Sequence, residues 1–126
     1  MDIYKACEKG DLTYIKSNKF DINGLSKKGW TPLIIAAWNG QLEVCAFLIS
    51  AGADCNFRTA KNGTSVLMYA KNSYLGKSKN NQYPILELLI ESGANIRYKD
   101  HFGKSIIDYL AILEEHSIIN FLRSKL

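Results

Sequence analysis

Residues 29–58, GWTPLIIAAWNGQLEVCAFLISAGADCNFR, decide the fold. Pro32 suits the first turn of a helix, where its missing N–H costs nothing. The small pair Ala36-Ala37 lets neighbouring helices approach closely, and Gly40 separates this first helix from a second apolar stretch containing Leu42, Val44, Leu48 and Ile49. Gly52 is placed to supply the left-handed cap that other residues resist. A helix–turn–helix of this kind cannot bury its own apolar face. Leu33, Ile35, Ala36, Val44, Leu48 and Ile49 need neighbours to stack on.

The chain supplies those neighbours. Gly63 to Ala70, GTSVLMYA, lies 34 positions after Gly29 to Ala36, and Gly103-Lys104-Ser105-Ile106-Ile107 lies 74 positions after Gly29 to Leu33. The second offset carries Val44 onto Ile118 and Phe47-Leu48 onto Phe121-Leu122. Upstream, Ala6 to Leu12 precedes Ala36 to Leu42 by 30 positions, and Phe20-Asp21-Ile22-Asn23 echoes Ala53-Asp54-Cys55-Asn56. A period in this range is the sequence signature of stacked repeats.

Gly29, Thr31-Pro32-Leu33, Ala36-Ala37, Gly40 and Gly52-Ala53-Asp54-Cys55-Asn56 together resemble one ankyrin repeat. The resemblance implies an all-α solenoid of helix–turn–helix units joined by hairpins. Four units are expected, at about 1–24, 25–58, 59–98 and 99–126, as a single domain over 1–126. Only the second is close to the family pattern; the first and last are degraded, as terminal repeats usually are. The closing helix places Ile118, Ile119, Phe121 and Leu122 inward and Asn120, Arg123 and Lys125 outward, and reads as a C-terminal cap. The family's first-helix histidine is replaced by Ile34, Met68 and Asp108, so the hydrogen-bond network usual among such repeats is expected to be mostly lost.

Two insertions interrupt the period. Seven extra residues fall within 72–84 of the third unit, a polar, Asn-rich and basic stretch that ends at Pro84, and one extra residue falls near Arg58-Thr59-Ala60. The longer insertion is expected in the loop joining the two helices, with Tyr74, Lys77 and Lys79 as contact candidates. Ile112 and Leu113 stand where the groove face is usually polar, and are expected to pack under this loop or to add an apolar contact.

Length and composition narrow the function. The chain has 126 residues and a net charge of +4. No apolar run reaches the ~18 residues of a membrane span. The N-terminus, Met1-Asp2-Ile3-Tyr4-Lys5, lacks the plan of a signal peptide. Cys7, Cys45 and Cys55 are odd in number and fall on apolar repeat positions, which predicts reduced, buried thiols and a cytoplasmic protein. No metal, phosphate or nucleophile motif is present. His101 falls on a hairpin tip and His116 at a helix–helix turn, and Glu114-Glu115 beside it cannot converge on one ion. Asn62-Gly63-Thr64 matches a glycosylation sequon, yet it is the repeat's own turn. No catalytic residue, metal or cofactor is expected, and no enzymatic activity.

The resemblance also implies where a partner would bind. In the family, hairpin tips and the exposed side of the first helix form a concave contact groove. Those positions are Lys27, Lys28, Trp30, Trp38 and Asn39 in the second unit, Lys61, Asn62, Thr64, Asn72 and Ser73 in the third, His101, Phe102 and Lys104 in the fourth, and Glu8 and Lys9 in the first. Both tryptophans fall on this face, and Trp is among the commonest interface hot spots. Lys9, Lys27, Lys28, Lys61 and Lys104 against Glu8 suggest a protein partner with an acidic patch. The chain is similar to small bacterial ankyrin immunity proteins, which implies a module that blocks or regulates one partner, a toxin domain or a regulated enzyme. With its own start Met and both caps, the chain is expected to have no attached domain to deliver, which makes binding itself the expected job. The other reading is an adaptor or host-directed effector bridging proteins in a larger complex. The modest charge, scarce Arg and lack of any nucleic-acid motif argue against nucleic-acid binding. A free monomer is expected.

Overall fold

The computed structural model describes residues 1–76 and 82–126. Its helices come in pairs: α1 (Ile3–Lys9) with α2 (Leu12–Ser17), α3 (Pro32–Trp38) with α4 (Leu42–Ser50), α5 (Val66–Ala70) with α6 (Pro84–Glu91), and α7 (Ile106–Ile112) with α8 (His116–Ser124). The 74-residue offset maps α3 onto α7 and α4 onto α8 residue for residue. α5 is shorter than α3 and passes into a 3-10 turn, Lys71–Ser73, where the longer insertion begins. Among the described residues there is no named strand, only an isolated bridge between Arg58 and Ser65.

Each first helix starts on a side chain that accepts an otherwise orphaned backbone N–H. Asp2, Thr31, Ser65 and Ser105 do this for Lys5, Ile34, Met68 and Asp108, and the Asp108 carboxylate accepts the Ser105 N–H in return, completing a capping box. Leu33, Ile34, Ala36, Ala37, Val44, Cys45 and Leu48 of the second pair are buried, as are Val66, Leu67, Ile85, Leu86 and Leu89 of the third and Ile106, Leu110, Ile118 and Leu122 of the fourth. They form one continuous core. Among the described residues, no helix is long and apolar enough to cross a membrane.

The turn between paired helices needs a left-handed residue. Gly10 and Gly40 provide it at φ +77° and +73°, and Glu114 takes the place of Gly40 in the fourth pair at φ +57°. A non-glycine residue in that conformation is strained.

The hairpins close in a common way. Ser26 N–H donates to Trp30 O at 2.9 Å, Thr59 N–H to Thr64 O at 3.0 Å, and Asp100 N–H to Lys104 O at 2.9 Å. The second of these turns spans one residue more, as the spacing predicts. Neighbouring hairpins are stitched by asparagine. Asn23 donates to Gly52 O and accepts from Asp54 N–H, at 3.2 and 2.8 Å. Asn56 repeats this with Gly93 O and Asn95 N–H, at 2.9 and 2.8 Å. The first-helix histidines are gone, but this ladder still couples adjacent repeats. Arg97 stands in the register of these asparagines. The fourth hairpin is tied instead by His101, whose N–H donates to Asn62 O at 2.9 Å and whose Nδ1 lies 3.1 Å from Lys61 O.

The longer insertion brings two corrections. Tyr74, expected as a contact residue, is only 5 % exposed. Its hydroxyl accepts the N–H of Ile85 at 2.8 Å, and its ring stands edge-on to Tyr83, which in turn meets Phe121. Tyr74 therefore serves the core, because the start of α6 has no side-chain cap of its own. Lys77 and Lys79 lie outside the described residues. Among the described residues nothing covers Ile112 and Leu113, which are 65 % and 51 % exposed.

Candidate functional site

α1, the Ser26–Trp30 hairpin and α3 line a groove of about 730 Å³. Its floor is apolar, from Tyr4, Leu25, Trp30, Ile35 and Trp38. Trp38, ending α3, is 42 % exposed, whereas Trp30 is half-buried. The two indoles and the Tyr69 ring of the next repeat form a cluster, with centroids 6.0, 5.4 and 5.8 Å apart. Rings this close stabilise one another by about 0.5–1.5 kcal/mol per pair beyond simple burial. The tryptophans are thus held as a preset apolar surface. Sequence reasoning misses Tyr69, although it stands in the register of Ile35; its one signal is an aromatic at a position that is aliphatic in α3.

The walls are charged. On the α1 side, Lys5 and Glu8 form a 2.6 Å ion pair, which holds the Glu8 carboxyl below its usual range. On the hairpin side stand Lys27 and Lys28, both exposed, with the Lys28 ammonium 5.6 Å from the Trp30 ring centroid. Among the described residues, neither ion pair present includes Lys27, Lys28 or Lys61.

The other candidates divide. Lys61, Asn62, His101 and Phe102 are exposed at the tips of the later hairpins, Phe102 at 68 %. His101 nevertheless has a structural role, since its ring lies so close to Gly63 that any Cβ there would clash. Lys104 sits near Asp100 and Asp108 and helps hold both carboxyls low. Burial of Asp100 works against that shift, but the Tyr109 hydroxyl and the Phe102 and Lys104 N–H groups outweigh it. Tyr109 is itself pushed up to about 12 by that hydrogen bond. Asn39 and Asn72 spend their amides on Ile35 O and on Met68 and Tyr69 O. The basic character of the face is accordingly concentrated on the second and third hairpins.

Other chemistry is sparse. The three cysteines are buried free thiols, with Cys7 and Cys45 pushed up to about 12 by burial. Among the described residues, no group of three or more His, Cys, Asp or Glu side chains could hold a metal ion.

Residues 3–100 match the family model for ankyrin repeats in three copies. The chain belongs to the ankyrin-repeat family. It is 28 % identical over 107 residues to ankyrin repeat protein L86 of Acanthamoeba polyphaga mimivirus, covering 78 % of this chain and 19 % of that one. It is 27 % identical over 118 residues to the rat (Rattus norvegicus) ankyrin repeat and SAM domain-containing protein 6, covering 90 % of this chain and 12 % of the relative. A stretch of 56 residues is 43 % identical to ankyrin repeat domain-containing protein oryK of Aspergillus oryzae, 42 % of this chain and 9 % of that one. The chain thus spans less than a quarter of the length of these relatives. Ankyrin repeats are non-catalytic protein-interaction modules.

Proposed function

We propose that this ankyrin chain binds one specific protein partner through the face built from Trp30, Trp38, Lys27, Lys28 and Lys61, and blocks or regulates it by covering its surface. The observation that carries the reading is the tryptophan groove. A large apolar ring left 42 % exposed, but braced by two aromatic neighbours, is suited to desolvation by a partner. The lysines beside it favour a partner with an acidic patch, which speeds encounter and sets orientation. In its finer form the partner is a toxin domain and the chain its immunity protein. The basic rim suits a target other than a nuclease, whose inhibitors commonly imitate nucleic acid. The α7–α8 pair completes the stack as a fourth, degenerate repeat, and the free chain is monomeric.

A second reading, an adaptor that bridges two proteins, draws on a separate cleft of about 540 Å³ at the helix-turn end. It is lined by Gly40, Leu42, Ser73 and Pro84 and shares Trp38 with the main groove. The exposed Ile112 and Leu113 add apolar surface.

The test is affinity capture from native lysate with the wild-type chain beside a Trp30→Ala/Trp38→Ala variant. Loss of one stoichiometric partner, equivalent to about 2 kcal/mol or more per tryptophan, is expected. Retention of that partner by the folded variant removes the groove from the interface. Several partners kept by the variant shift the case to the adaptor.

A further inference from the structure

The groove has an apolar floor and two unlike walls, and the difference specifies what would fill it. We infer that the occupant is an acidic linear segment of the partner protein. One large apolar side chain of that segment seats among Trp30, Ile35 and Trp38, and carboxylates roughly three residues apart reach first Lys28 and then Lys61. The inference rests on the protein-binding reading above and adds the chemistry of the bound segment.

Charge sets the direction. Glu8 on the α1 wall is already neutralised by Lys5 at 2.6 Å, so that wall offers little to an incoming cation. The opposite wall holds two exposed ammonium groups, and Lys28 stands 5.6 Å from the ring of Trp30. Apolar anchor and cation are therefore adjacent, within reach of neighbouring side chains on one stretch of chain. The cationic row continues on the next hairpin with Lys61, which is exposed, whereas Lys104 beyond it is half-buried. A short acidic run fits this arrangement better than a long one.

Spacing sets the register. Packed helices lie about 8–10 Å apart, so successive hairpins advance by about that much. An extended chain rises about 3.3 Å per residue, and three residues cover the step from the second hairpin to the third. The groove volume, about 730 Å³, is in the range of clefts that take a small ligand, enough for part of a linear segment.

Both tryptophans of the chain belong to this groove, so intrinsic fluorescence reports its occupancy directly. A random peptide display library selected on the full chain supplies the probes. Enriched peptides are expected to carry one aromatic or leucine side chain with Asp or Glu at three-residue spacing. The corresponding synthetic peptide should change tryptophan emission saturably. Replacing its acidic residues with lysine, or its apolar anchor with alanine, should weaken binding at least tenfold, as should Lys28→Glu together with Lys61→Glu in the chain. Those two lysines are exposed, so the folded state survives their reversal. Enrichment of basic peptides, no enrichment at all, or a saturable response to a single-stranded oligonucleotide overturns the inference. If no peptide binds but capture of the folded partner still depends on Trp30 and Trp38, the acidic-segment inference fails and the interface reading stands. If capture ignores the tryptophans, both fail.

Discussion

Replacing Tyr74 with phenylalanine removes one oxygen and nothing else, which makes it a sharp probe of the inserted segment. The ring is buried, and its hydroxyl accepts the Ile85 N–H at 2.8 Å. Ile85 is the second residue of α6, where the backbone N–H groups lack intrahelical partners, and Tyr83 at the cap position accepts none of them. Tyr74→Phe therefore leaves a buried donor unmet, at a cost of about 1–3 kcal/mol. For a chain of this size each kcal/mol lowers the melting temperature by about 3–6 °C. Urea unfolding followed by circular dichroism reads the loss, with an unchanged m-value showing that the unfolded state is untouched. Burial raises the pKa of the Tyr74 phenol, so the native state prefers it neutral. Its contribution is full below the ordinary tyrosine range and falls as pH rises through the folded value, an alkaline sensitivity the variant should lose. Partner binding should not change. A variant within about 0.5 kcal/mol of wild type would show that the hydroxyl caps nothing. A variant of normal stability but weakened binding would restore Tyr74 as a contact residue.

Leu48→Ala, a truncation at the centre of the core, should cost about 2–5 kcal/mol in the same unfolding assay while leaving the m-value alone. Glu114→Gly should stabilise by up to about 1–2 kcal/mol, because φ +57° is a left-handed conformation glycine adopts freely; no gain would mean the turn is unstrained. Lys71 is 9 % exposed, donates to Met68 O at 3.1 Å and lies over the Tyr109 ring, with its pKa lowered by burial. A depressed lysine pKa penalises the native state below the folded pKa, and the penalty fades as pH rises toward the ordinary lysine value. Lys71→Met should accordingly raise the urea midpoint at neutral pH, with an advantage that shrinks under alkaline conditions. An advantage independent of pH would place its origin in packing. Cys7 and Cys45, buried and pushed up to about 12, should resist a thiol reagent in the native state and react once the chain unfolds.

The repeat was legible because it is written in local rules. Pro32 at a helix start, Gly40 and Gly52 at left-handed turns and apolar residues at helical spacing each act within one unit, and copying the unit copies the rule. α6 ends 41 positions after α4, although α5 begins only 34 after α3. What escaped was contact between units. Asn23 and Asn56 were visible as signature residues, but their bonds to the next hairpin depend on stacking distance. Tyr74 sat in a polar, Asn-rich stretch whose composition pointed outward. Its true partner, a backbone N–H eleven residues later, exists only once Pro84 has begun α6. Tyr74 and Tyr83 flanking the same insertion were the one signal present, and an aromatic pair at both ends of a loop is a reason to expect the loop to be anchored. Ile112 stands in the register of Trp38, and both remain exposed at the end of their first helix, so that register leaves apolar side chains uncovered in two units.

These inter-unit contacts fall into two rows, and the tryptophan groove is framed between them. At the hairpin side, Asn23 and Asn56 join the first three repeats and His101 joins the third to the fourth. At the helix-turn side, Gln41 donates to Glu8 O at 2.9 Å, Ser73 to Ala37 O at 2.6 Å, and Gly76 N–H to Glu115 at 2.7 Å. The start of the insertion is part of that second row, since Ser73, Tyr74 and Gly76 link the second, third and fourth repeats in turn. Stability in a solenoid is a sum of unit and nearest-neighbour terms, and weak end units depend on the latter. The α7–α8 pair, with Glu114 strained, needs such links most. An insertion that began as extra loop length thus works here as a fastener, and the cost of its length is small because loop-closure entropy grows only slowly with residue number. Held along both edges, the first helices keep a fixed separation, and Trp30, Trp38 and Tyr69 keep the mutual distances that leave one indole face open to a partner.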